Sequence, residues 1–161
     1  MTRTRKTVLL ALLTAAAMIL SYVESLLPSP GVPGVKLGLA NIAVIFALYR
    51  LGGREAAAVS LVRVGMVSLL FGSLGALFYS LAGAVLSLLV MALLRRTDRF
   101  SSVGVSVAGG VSHNAGQILM AMLLLETRRL IWLLPVLVLS GLAGGVLVGL
   151  TAALLIKRIP R

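Results

Sequence analysis

A chain of 161 residues that is 60% apolar and only 12% charged, with a mean hydropathy of +1.11, has the composition of a membrane protein and not of a soluble domain. The absence of cysteine excludes disulfides, zinc–thiolate sites and thiol catalysis. The net charge of +11 comes from 15 Lys and Arg against 4 Asp and Glu, and these stand mostly at the ends of apolar runs, which points to membrane orientation and away from nucleic acid.

Arg3, Arg5 and Lys6 precede an apolar run over residues 7–27. A basic start and an apolar core imitate a signal peptide, but the run continues beyond signal-core length, so it is expected to remain as the first helix. Within it, Ala11 and Ala15 form a small-xxx-small pair, which on spacing alone serves ordinary helix packing. Glu24 lies near the far end, at a level where a carboxylate reaches either water or a ligand. Pro28-Ser29-Pro30-Gly31-Val32-Pro33-Gly34 then breaks the helix. A turn so rich in proline and glycine is stiff, and it either connects two helices or caps a site.

Lys36 opens a second helix over 36–50, short for a span and interrupted by Asn41. Arg50, Gly52, Gly53, Arg54 and Glu55 make a basic turn. A third helix, 56–71, contains Arg63. At 1.5 Å per residue Arg63 lies ~12 Å from Glu55, close to the middle of a ~30 Å hydrocarbon core. An arginine at that depth either has an internal partner or polar cavity, or snorkels to the surface. The uncharged turn Gly72-Ser73-Leu74-Gly75 leads to a fourth helix, 76–94. Gly72, Ala76, Ser80 and Ala84 recur there at four-residue spacing, as a packing ridge does. Tyr79 is an interfacial anchor or a stacking surface.

Arg95, Arg96, Asp98 and Arg99 form the next basic loop, followed by a fifth helix over 101–125. In its middle stand Ser112-His113-Asn114-Ala115-Gly116-Gln117, which include the only histidine of the chain. His113 and Gln117 share one helix face and Asn114 lies ~100° round. They form a polar arc near the membrane midplane, which serves a ligand or interhelical hydrogen bonds. Gly104, Ala108, Ser112 and Gly116 form a small-residue ridge on another side. After Glu126, Arg128 and Arg129, a sixth helix spans 130–156. It has Trp132 at interfacial level, Pro135 in its first turns, and a stripe of Gly141, Gly145 and Gly149.

The expectation is therefore an all-α, single-domain integral membrane bundle of six transmembrane helices. Eleven Lys and Arg fall with the two chain ends and the turns after helices two and four; Lys36, Arg128 and Arg129 fall on the other side. That asymmetry places both termini in the cytoplasm and the chain in the cytoplasmic membrane. Enzymatic chemistry is not expected. There is no Walker A lysine motif, no Ser-His-Asp set and no metal-ligand cluster. Asp98 is the only aspartate, whereas a prenyl diphosphate synthase needs paired aspartate-rich segments to hold Mg²⁺. No carboxylate sits centrally in a span, which disfavours self-powered, proton-coupled transport.

The runs Lys36-Leu37-Gly38-Leu39-Ala40-Asn41-Ile42, Ser68-Leu69-Leu70-Phe71-Gly72, Tyr79-Ser80-Leu81-Ala82-Gly83 and Ser112–Gln117 resemble the Gx transporter family, which carries the label heptaprenyl diphosphate synthase component I. That family resembles the S components of energy-coupling factor (ECF) transporters. The resemblance implies a six-helix substrate-binding subunit that works with a T component and two ATPase subunits. It also implies that Ala11 and Ala15 form a docking motif for the T component, and that a flavin or flavin nucleotide is a transported ligand, with no resident cofactor. On this reading Asn41, Arg63, Tyr79, His113, Asn114 and Gln117 contact the ligand, with Glu24 and Lys36 near the mouth. The guanidinium of Arg63 suits phosphate, and the amides of Asn114 and Gln117 suit ring or ribose groups. The alternatives are a non-transport membrane subunit of prenyl diphosphate or quinone metabolism, in which the same residues hold the bundle together, and an autonomous small-molecule carrier.

Overall fold

The computed structural model describes residues 2–26 and 37–159. Among them are six α-helices: α1 (Arg3–Leu26), α2 (Asn41–Arg50), α3 (Gly53–Phe71), α4 (Leu74–Arg96), α5 (Ser102–Leu124) and α6 (Leu134–Arg158). Lys36 and the proline-rich stretch 28–34 lie outside the described residues. Among the described residues three segments are long and apolar enough to cross a membrane: Arg3–Leu26, Leu74–Arg96 and Arg128–Arg158. In α3 and α5 the apolar run is interrupted by Arg63 and by the polar arc, respectively.

Local chemistry sets the helix starts. The Ser73 hydroxyl accepts from the Ala76 N–H at 3.2 Å and starts α4, and Ser101 does the same for α5 through Gly104 N–H at 3.2 Å. The sixth helix does not begin at residue 130. Arg128–Leu133 form a 3-10 helix, and α6 starts at Leu134 with Pro135 in its first turn. Proline is suited there because the N–H it lacks has no intrahelical partner at that position. Trp132 stands out from this 3-10 segment, 83% exposed.

The second helix is shorter than 36–50. It begins at Asn41, after a turn through Gly38, whose φ of +75° favours glycine. Its ten residues rise only ~15 Å, half a bilayer core. Every residue from Ala43 to Leu48 is buried, so α2 is apolar all round and forms the centre of the core. Ala17, Ala56, Val59, Met91, Val105, Val148 and Ala152 from the surrounding helices close on it. The space beyond its N-terminus is then left for other side chains to line.

At the opposite end of α2 the basic residues are spent on tying helices together. Arg50 donates to the carbonyls of Ile156 and Ile159 at the end of α6, where a cation also meets the negative end of the helix dipole. Arg95 donates to the Tyr49 carbonyl at 3.3 Å and stacks over the Tyr49 ring at 5.1 Å. Lys6 pairs with Glu55. The start of α1, the α2–α3 turn and the ends of α4 and α6 therefore share one end of the bundle.

The Lys6 hydrogen bond to Glu55 holds that carboxyl below its ordinary value of 4.5. A carboxylate with a lowered native pKa contributes stability that is present above the unfolded pKa and lost as pH falls through the native one. Acid is therefore expected to loosen α1 from α3 below about pH 4.5, the ordinary value. Glu55→Gln should flatten that acid limb. Melting curves taken from pH 3 to pH 7 check it, and an unchanged limb in the variant would refute the assignment.

Helices α5 and α6 meet through glycine. A methyl group at Gly110 would lie 2.5 Å from the Gly141 carbonyl oxygen, and one at Gly145 would lie 2.6 Å from the Val107 Cα. One at Gly149 would lie 2.8 Å from the Val103 Cα, so the expected stripe on α6 is a close-packing surface. The ridges expected on α4 and α5 do not act as units. Gly116 packs on Ala82 and Gly83 of α4, whereas Gly104 faces only Phe100 and Ser101 of its own turn. Steps of four residues drift ~40° each round a helix, so a ridge of four members leaves one interface for the next. On α4 the small residues divide in the same way: Ala84 is buried, while Ala76 and Ser80 line a cavity.

Candidate ligand site

A cavity of about 70 Å³ lies at the N-terminal end of α2, enclosed by α1, α3, α4, α5 and α6. Glu24, Asn41, Arg63, His113, Asn114 and Gln117 all line it. Six residues expected at the site, from the four helices α1, α2, α3 and α5, thus meet in one place. Tyr79 does not join them. Its ring folds back over Gly75 on the preceding turn of α4, with the hydroxyl 3.9 Å from where a Gly75 Cβ would be. Helical side chains lean toward the N-terminus, which carries Tyr79 toward the helix end and away from the cavity. Lys36 lies outside the described residues.

Each polar group is held differently. The Glu24 carboxylate accepts from the Gly38 N–H at 2.5 Å, which fastens the end of α1 to the turn before α2. Arg63 makes one long hydrogen bond, from Nη1 to the Ser21 hydroxyl at 3.4 Å, and its Nε is buried with no partner. The ion pair found among the described residues joins Lys6 and Glu55, not Arg63 and Glu24. An unmatched buried donor of a charged group is costly, so Arg63 presents hydrogen-bonding capacity that the fold leaves unspent.

The α5 arc divides in function. Asn114 is 5% exposed, and its amide donates to the Leu137 carbonyl of α6 at 2.6 Å. That is an interhelical hydrogen bond, so for this residue the structural reading applies. The His113 ring and the Gln117 stem lie against Gly83, where a methyl group would come within 3.0 Å of His113 Cε1 and 2.9 Å of Gln117 Cγ. Gly83 is what lets these two larger side chains fit between α4 and α5.

Sequence reasoning missed three serines on the cavity wall: Ser80, Ser106 and Ser140. The Ser106 hydroxyl is buried without a partner. A signal for it existed, since Ser106, Gly110, His113 and Gln117 follow the i, i+4, i+7, i+11 pattern of one helix face. Ser80 sits three residues from Gly83, in the run that also contains Tyr79. Ser140 adjoins Gly141 in the α6 stripe and is indistinguishable from packing residues by spacing.

A family model described as heptaprenyl diphosphate synthase component I matches residues 13–155. No curated protein and no solved structure matches the chain.

Proposed function

Since the chain belongs to the family described as heptaprenyl diphosphate synthase component I, we propose that this membrane component is a non-catalytic, substrate-binding subunit of the S-component kind, with six spans and cytoplasmic termini. The observation that carries the reading is the cavity itself. It gathers an arginine with unspent donors, a carboxylate, a histidine and amides at the N-terminal end of a half-length helix. A bundle that used these groups only as glue would pair the Arg63 Nε, as it pairs the Asn114 amide with the Leu137 carbonyl. Pockets for drug-sized ligands run to about 300 Å³ or more. A flavin or flavin nucleotide, the ligand we favour, thus requires the helices to part and widen the cavity beyond its volume of about 70 Å³.

The outward face of α1 supports the partner assignment. Ala11 and Ala15 are exposed on it with Val8, Leu12 and Ile19, and the described part of α1 buries only Ala17. This face would dock a T component that also engages two ATPase subunits. Replacing Ala11 and Ala15 together by Leu is expected to cut recovery of a T component in a pull-down at least tenfold, with no change in melting temperature. Full recovery would remove α1 as the docking face. The family description favours a second reading, a membrane subunit of prenyl diphosphate metabolism. Copurification with a prenyl diphosphate synthase, and with no ATPase, would select it.

A further inference from the structure

A second cavity, of about 130 Å³, lies between α1, α3 and α4, on the side of the bundle away from the tied basic end. It shares Glu24, Arg63 and Ser80 with the central cavity, so these side chains stand between the two. Its outer rim is formed by Tyr22 and Phe71, half-exposed rings 5.1 Å apart from the ends of α1 and α3. We propose that this second cavity is the side entrance through which a ligand bearing a carboxylate or phosphate group passes Arg63 into the central cavity. The inference rests on the binding-subunit reading and adds to it a route and a ligand charge.

Three observations support the route. The two cavities adjoin at the residues they share, Glu24, Arg63 and Ser80, of which Ser80 is small. At the rim Tyr22 and Phe71 meet in one tilted ring contact, at an interplanar angle of 42°, and among the described residues no side-chain hydrogen bond joins the two. Helix α1 buries a single residue in its described length, and segments with few buried contacts open at low cost. The charge follows from the donors. Arg63 has a buried Nε without a partner and one long hydrogen bond, to Ser21, and its electrostatic neighbour, the Glu24 carboxylate, is hydrogen-bonded to the Gly38 N–H and not to Arg63. Beyond Arg63 lies the N-terminus of α2, where the helix dipole is positive. An anionic oxygen group therefore meets the unpartnered Arg63 Nε first and the positive end of α2 after it.

The chain has no cysteine, so one added thiol reports alone. Ser80→Cys protein in lipid nanodiscs would be treated with anionic sulfonatoethyl methanethiosulfonate and with cationic trimethylammonioethyl methanethiosulfonate. Each rate is divided by that of 2-mercaptoethanol in solution. The expected normalised rate is about tenfold higher for the anionic reagent, within the range of electrostatic focusing by a charged cleft, and Arg63→Gln, which leaves the Glu24 carboxylate in the same wall, should bring the ratio to about one or below. Ala76→Trp, which fills the second cavity alone, should slow both reagents at least tenfold, and Phe71→Ala, which opens the rim, should speed both. The Phe71→Ala arm stands even if the tryptophan variant fails to fold. No labelling of Ser80→Cys, labelling indifferent to both rim and plug, or a preference for the cation would overturn the entrance. A protein that labels as expected but never associates with a T component keeps the entrance and loses the transport reading; the converse loses only the entrance.

Discussion

One added methyl group at Gly110 or Gly145 is expected to break the contact between α5 and α6. At Gly110 the new carbon would sit 2.5 Å from the Gly141 carbonyl oxygen, and at Gly145 it would sit 2.6 Å from the Val107 Cα. Both neighbours are main chain, so no side-chain rotation relieves the clash and the helices must separate. Overpacking costs about 1–3 kcal/mol and occasionally more, and here the separation also removes dispersion contacts along the whole stripe. Gly65 gives the control. Nothing lies within 4 Å of a methyl group there, and it sits inside α3. Gly65→Ala should therefore gain about 0.5–1 kcal/mol from reduced backbone freedom in the unfolded chain and better helix propensity. Thermal unfolding of the detergent-solubilised variants, followed by circular dichroism, separates the two classes. Equal melting of Gly110→Ala and Gly65→Ala would show that the stripe is not a packing surface.

The helices were legible because apolar runs end in charge or in glycine at each turn. Arg63 was legible by depth alone: an arginine in mid-run has few places to go, and it indeed lines a cavity. Two features were not legible. The extent of α2 depends on where the chain turns at Gly38, a residue of positive φ whose N–H is held by Glu24 on another helix. The fate of Tyr79 depends on its rotamer over Gly75, which periodicity does not encode. Spacing also does not say which member of a polar arc faces a neighbouring backbone. His113, Asn114 and Gln117 look alike in sequence, yet Asn114 is the one whose amide is seen to brace a main-chain carbonyl of α6 among the described residues.

That difference sets the other large expected effect. Asn114→Ala is expected to lower the melting temperature of the ligand-free protein. The Leu137 carbonyl keeps its intrahelical lone-pair contact but loses the Asn114 amide, and a hole opens between α5 and α6 at a residue that is 5% exposed. Interhelical hydrogen bonds in membranes contribute about 0.6 to 2 kcal/mol, and the cavity left by the amide adds to the loss. Gln117→Ala should behave differently. Gln117 lines the central cavity, and no hydrogen bond holds it among the described residues. Its truncation is expected to change stability by no more than about 0.5 kcal/mol. Melting of Asn114→Ala, Gln117→Ala and the double variant would decide the matter. A site held jointly would give a double variant worse than the two singles added. Additive losses, with nearly all the loss at Asn114, would separate the residue that braces the cavity wall from the one that faces into it. Equal losses at the two positions would refute that division of the arc.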